Sequence, residues 1–181
     1  MTSIIKADNI STVSGSGNIT IPTGVKVVGT DAGSIVAPGA VIQVVQATDA
    51  TNTVANSTSF TAVPLQADIT PKFATSKILC MVIGGVDTNA SGRGAGATIF
   101  RTISGGSAIN LATSAGGQQR FGYDFGANSR LQTTQAMQFL DSPSTASSVN
   151  YRVHVQSTAS ANVEYPGTYQ TKVMILMEIA Q

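Results

Sequence analysis

From Val149 to Gln156 the chain alternates strictly: Val149, Tyr151, Val153 and Val155 on one side, Asn150, Arg152, His154 and Gln156 on the other. A period of two predicts a strand with one buried and one wet face. Phe139-Leu140 ends an earlier strand. Between the two lies Asp141-Ser142-Pro143-Ser144, residues that cap locally or preset φ, so the stretch reads as a hairpin. Two further segments are apolar on both faces. In Ser76–Val86, Ile78, Cys80 and Val82 oppose Leu79, Met81 and Ile83. In Lys172–Ile179, Val173, Ile175, Met177 and Ile179 oppose Met174 and Leu176. A sandwich strand usually keeps one face wet. No stretch shows helical periodicity with caps, so no helix is available to cover a second apolar face. The expected cover is another copy of the same sheet around a symmetry axis, which makes the chain a homo-oligomer; a third layer of loop packing within one chain is the alternative.

The remaining pattern is strands and polar connections. Val41–Ala47 predicts the first strand, Asp49–Asn56 a polar turn, and Ser59–Val63 a second strand stopped by Pro64. Ala67–Pro71 reads as a short or edge strand, where proline is tolerated. Ala97–Ile103, Ser107–Leu111, Arg120–Phe125 and Met137–Leu140 complete about eight to ten strands, at spacings suited to a sandwich or jelly roll. Residues 1–40 differ. Short apolar groups, among them Ile19, Ile21, Val25, Val27 and Ile35, are interrupted by Ser14-Gly15-Ser16-Gly17, Pro22-Thr23-Gly24 and Pro38-Gly39. No piece of this region can bury its own apolar face. Three copies wound together would bring those residues to a common axis; a flexible arm that orders on its partner is the competing reading. The expected organisation is therefore an N-terminal anchor and shaft over 1–40 and a β-sandwich domain over 41–181.

Composition agrees with an all-β chain. Charged residues are only 10%, and 22 Thr and 19 Ser carry the polarity instead. The formal net charge of +1 and the scattered Lys and Arg give no electrostatic footprint for nucleic acid. A single cysteine excludes an intrachain disulfide and any multi-cysteine metal site. Lys6 and Asp8 interrupt the first 20 residues, so no signal peptide is expected, and the apolar run Ile78–Ile83 is far too short to span a membrane.

Candidate chemistry is sparse. Gly92-Arg93-Gly94-Ala95-Gly96 resembles a phosphate loop in composition, but no helix follows it, so a mobile surface loop is expected. His154 is the single histidine, and no nucleophile-elbow sequence exists to serve it. Cys80 lies in an apolar strand and reads as a small hydrophobe. Asp68, Asp87, Asp124, Asp141, Glu164 and Glu178 show no local glycosidase or calcium-loop spacing. Neither catalysis, nor a metal, nor a cofactor is expected. Binding fits better. Tyr123, Asp124, Asn128 and Arg130 in one loop-rich stretch, with Tyr165 and Tyr169 in another, combine flat apolar rings with directional hydrogen-bonding groups, the chemistry of a shallow sugar or protein site. Tyr123 read instead as a core-packing strand residue is the plainer alternative.

Val41–Gln46, Ile69-Thr70-Pro71 with Ser76–Leu79, Phe139–Pro143, the following Ser/Thr/Ala loop with Val149–Val155, and the closing Met177-Glu178-Ile179 together resemble the C-terminal β-domain of tail-fibre proteins of tailed phages, those of marine and cyanobacterial hosts especially. The resemblance covers about Gly39–Ile179 and, more loosely, Ile19–Pro38. It implies a homotrimer, an intertwined β-shaft followed by a jelly-roll-like antiparallel sandwich. It implies attachment to phage baseplate or tail proteins through residues 1–40, a tip that contacts host surface polysaccharide or protein, and a place in the virion tail after synthesis in the host cytoplasm. Ile19, Ile21, Val25, Val27 and Ile35 in the shaft and Leu79, Met81, Ile83, Met174 and Leu176 in the tip are the expected trimer contacts. Long fibres are several times larger, so a short fibre or tip subunit is implied. A trimeric decoration protein of the capsid is the alternative; an enzyme such as a depolymerase is a third class.

Overall fold

The computed structural model describes residues 20–31, 34–88, 93–112, 122–126, 131–158, 162–165 and 170–181. The chain divides into two units, residues 1–35 and Val36–Gln181. In the first, the described residues form turns and no strand. The Val25 N–H donates to the Pro22 carbonyl at 3.1 Å, with Gly24 at φ +84°, a left-handed position that suits glycine. The Ser34 N–H and hydroxyl both donate to the Asp31 carbonyl, at 3.0 and 2.7 Å. Ile21, Val25, Val27, Val28 and Ile35 are all exposed, Val28 at 76%.

The second unit is all β, an antiparallel sandwich. Its strands are β1 (Val41–Asp49), β2 (Thr53–Ala55), β3 (Thr61–Ile69), β4 (Lys77–Thr88), β5 (Arg93–Ile103), β6 (Ile109–Asn110), β7 (Gly122–Gly126), β8 (Leu131–Asp141), β9 (Val149–Ser157), β10 (Val163–Tyr165) and β11 (Lys172–Ile179). Sheet I runs β1-β11-β4-β8; past the end of β11 the short β10 pairs with the last residues of β4, and β2 pairs with the far side of β10. Sheet II runs β3-β9-β5 and then β7, with β6 beside β7 along the same edge of β5. The eight longer strands follow jelly-roll order, each connection between them crossing to the other sheet except that from β5 to β7, which stays in sheet II. The first and last strands close on each other: Gly39 N–H donates to the Ala180 carbonyl and Ala180 N–H to the Ala40 carbonyl, both at 2.9 Å.

Register fixes which face each residue takes. Across sheet I the inward rows are Val45–Leu176–Cys80–Phe139 and Ala47–Met174–Val82–Met137. Opposing them from sheet II are Val63, Leu65, Ala97, Ile99, Tyr151, Val153 and Val155, all buried. The alternation read in 149–156 is therefore that of β9, with its four apolar side chains fully enclosed.

Several expectations change. Phe139–Gln156 is not a hairpin: β8 pairs with β4 in sheet I and β9 with β3 and β5 in sheet II, so the Pro143 loop crosses between layers. Pro64 does not stop a strand. It sits exposed in the middle of β3, an edge strand, where the ladder skips between Ala62 and Gln66, so the missing N–H costs no pairing. Arg93–Gly96 opens β5 rather than forming a loop. The turn expected over Asp49–Asn56 contains β2, which exists only by pairing with β10.

Candidate functional site

Ionisable side chains within the sandwich sit mostly at its ends and are held by partners. Asp141 closes one end of sheet I's inner face. Arg101 from sheet II places one guanidinium nitrogen 2.8 and 2.9 Å from its two carboxylate oxygens, and the Tyr151 hydroxyl donates to Oδ2 at 2.7 Å. Burial pushes the Tyr151 phenol well above its usual range, and the neighbouring Asp141 charge adds to that. Cys80 lies in the same interior, where burial, with Asp141 assisting, pushes its thiol up to about 12; it is an inert apolar filler. At that end too, the buried Glu178 carboxylate accepts from the Lys72 and Phe73 backbone N–H groups, at 2.7 and 3.3 Å, and from Gln43 Nε2 at 2.6 Å. It pins the turn that leads into β4.

The other end is held by Lys172. Its buried ammonium lies 2.6 Å from Asp49, donates to the carbonyls of Thr51 (2.8 Å) and Tyr165 (3.2 Å), and sits 5.3 Å from the Tyr165 ring centre. Burial lowers the Lys172 pKa against the opposing pull of Asp49. Burial would raise Asp49, but hydrogen bonds from Lys172 and Thr51, with the Lys172 charge, hold it below its usual range. Asp87 and Glu164 stand directly opposite each other on β4 and β10. Gln132 Nε2 donates to Asp87 at 2.7 Å and Asn52 Nδ2 to Glu164 at 3.1 Å. Asp87 is fully buried, and Glu164 is half-buried. Among the described residues no three His, Cys, Asp or Glu side chains gather as a metal set.

The two outer faces of the sandwich differ in chemistry. Sheet II is polar outside: Asp68–Asn150–Thr102, Gln66–Arg152–Phe100–Asn110 and Ala62–His154–Thr98 form its rows. Asn150 Nδ2 donates to Asp68 at 3.0 Å, and Arg152 Nε to the Val63 carbonyl at 2.8 Å. His154 stacks on Phe100 at 4.0 Å between ring centres, and Phe60 meets Phe100 edge-on at 6.0 Å. Burial, with the Arg152 charge assisting, pulls the imidazole down to about 4. A neutral ring in an aromatic stack is a packing element.

Sheet I is apolar outside. Its rows are Val44–Met177–Leu79–Leu140, Gln46–Ile175–Met81–Gln138 and Thr48–Val173–Ile83–Ala136. Val44, Ile83 and Leu140 are 57%, 55% and 47% exposed. A shallow groove of about 230 Å³ runs between β4 and β8, bordered by Met81, Ile83, Ala136 and Gln138.

The residues singled out from the sequence scatter over this frame. Tyr165 is not a surface ligand contact. It is fully buried in the core, and a Cβ at Gly84 would collide with its hydroxyl. Tyr123 and Asp124 lie in β7, in register with Gly96 and Ala95, and belong to a strand. Asn128, Arg130 and Tyr169 lie outside the described residues, as does Ile19. Leu79, Met81 and Ile83 occupy the outer face of sheet I, and Ile21, Val25, Val27 and Ile35 are exposed in the first unit. Met174 and Leu176 are a correction: both are fully buried between the sheets, and Val173, Ile175 and Met177 take the outer positions of β11. The register with β4 shows it: Ile83, Met81 and Leu79 pair with Val173, Ile175 and Met177.

No protein-family model matches the chain, and no curated protein matches it. Among solved structures, it resembles a chain of infectious bursal disease virus Gx strain at 15% identity and TM-score 0.41, over 77% of this chain and 37% of that one. It also resembles a chain of the infectious bursal disease virus VP2 subviral particle at 12% identity and TM-score 0.44, over 87% and 42%. The chain thus spans about two fifths of these proteins. A likeness of that degree carries neither fold nor function, and the sandwich assignment stands on the strand pairing above.

Proposed function

We propose that this chain is a virion structural protein of a tailed phage, a short trimeric tail fibre held to the baseplate or tail through residues 1–40, with the sandwich as its host-facing tip. The observation that carries the reading is that both units of the chain leave apolar side chains unburied: Ile21, Val25, Val27, Val28 and Ile35 in the first, and the outer rows of sheet I in the second. A subunit of an assembly needs such surfaces. The sequence resemblance of Val41–Gln46, Phe139–Pro143 and Met177–Ile179 to tail-fibre tips supplies the kind of assembly. A capsid decoration protein is the competing structural role. Gold-labelled antibody against the sandwich, applied to particles carrying the chain with and without residues 1–30, separates them. The fibre reading expects label at the tail that vanishes on deletion; label on the head that survives deletion defeats it. Release of reducing sugar from host polysaccharide by the purified chain would make it an enzyme instead.

A further inference from the structure

We infer that the outer face of sheet I is where one copy of this chain docks on another; the inference rests on the assembly reading above and names the surface. Of the twelve residues in its three outer rows, Val44, Met177, Leu79, Leu140, Ile175, Met81, Val173, Ile83 and Ala136 are apolar, and the remaining Gln46, Gln138 and Thr48 are uncharged. Lys77, paired with Ile179 below these rows, is the charge at that border. Beyond the opposite border Asp87 and Glu164 stand against each other, so the charges lie outside the twelve residues, and within them a partner with its own charge pattern would find nothing to match. A second copy brings a neutral apolar surface against a neutral apolar surface, and a chain of net charge +1 opposes that approach very little.

Size agrees. Four strands spaced ~4.8 Å apart and about six residues of ~3.3 Å rise give a flat footprint on the order of 400 Å². That falls among the largest apolar patches of single proteins, which are often functional. It is about half of the ~800 Å² that each partner of a stable complex buries, before side-chain relief and the flanking Val41 and Ile179 are added. The groove between β4 and β8 gives the face relief, a recess for an apolar side chain of the facing copy. The outer face of sheet II differs: Arg152, Asp68, Asn150 and Gln66 stand there beside the Phe100–His154 stack.

The methionines supply a direct test. In a single chain Met81 and Met177 are half-exposed, whereas Met137 and Met174 are buried. The full-length chain is treated briefly with hydrogen peroxide at high and at low protein concentration, its native mass is measured by light scattering, and sulfoxide is mapped by mass spectrometry. Assembled chain is expected to protect Met81 and Met177 to the level of Met174, with reactivity rising about tenfold or more on dilution to single chains. Met81→Asp is expected to lower the mass to a single chain at concentrations where the native chain stays assembled. Assembled chain whose Met81 and Met177 oxidise freely overturns the inference and leaves the fibre reading standing. A pair of chains with both methionines protected upholds the face and removes the threefold. A single chain at all concentrations removes both. If Met81→Asp does not fold, the oxidation pattern of the native chain decides alone.

Discussion

Arg101 and Tyr151 both reach across from sheet II to one carboxylate, that of Asp141 on sheet I. Removing one partner of a buried charge pair strands the other, so Asp141→Asn is expected to cost about 3 kcal/mol in urea unfolding. Tyr151→Phe, which removes one hydrogen bond and keeps the ring, should cost about 1 kcal/mol, and the double variant less than the sum. Strict additivity would mean that the three groups do not act as a unit. His154 gives the molecule an acid-sensitive point. Its folded pKa of about 4 lies below the unfolded 6.5, so the unfolded chain takes up a proton first as pH falls. The stability at stake is complete above pH 6.5 and is lost between 6.5 and 4. After allowance for partial exposure the loss is about 1–2 kcal/mol. Comparing urea midpoints at pH 7.5 and 4.5, His154→Gln should lose less than the native chain; an equal loss would place the acid sensitivity elsewhere. Single residues were only partly legible in the sequence. The wet face of β9 was plain from alternation. Tyr165 was not, because a tyrosine before Pro166-Gly167 looks like loop chemistry, and only the gap left by Gly84 across the sheet makes room for its ring.

At the scale of the strand, β4 and β11 explain both the success and the error of sequence reasoning. Their doubly apolar character suggested one sheet with both faces apolar, and the two strands are neighbours in sheet I. Which face is inner cannot be read from apolar residues on both sides. The parity of Lys172 and Glu178 misleads, since these are ionisable groups that the sandwich encloses with Asp49 and with the Lys72 and Phe73 N–H groups. Leu176→Ala is therefore expected to destabilise the fold by about 2–5 kcal/mol, as emptied core sites do. Leu79→Ala, on the outer face, should cost clearly less in the urea unfolding of the unassembled chain. Equal costs in calorimetry or urea unfolding would contradict the register. The short strands β2, β6 and β10 left no local pattern, because two or three residues become a strand only through a partner. Pro64 read as the end of a strand and not as the interior of one long edge strand, since the irregularity that tolerates it is set by pairing with β9.

For the whole molecule, length, alternation of residues and the scarcity of charge foretold an all-β sandwich, and the strand order within the two layers bears out its jelly-roll form. The crossing at Pro143 did not show itself in the sequence, because a hairpin turn and a layer-to-layer loop use the same residues. In this arrangement β11 lies between β1 and β4, though more than a hundred residues separate Gln43 from its partner Glu178. Long-range pairing of this kind makes for slow folding. It also sets an order on biosynthesis. Until the ribosome has delivered β11, sheet I is two unjoined halves, the rows through Met177, Ile175 and Val173 do not exist, and nascent chains on one polysome have no finished surface with which to capture each other.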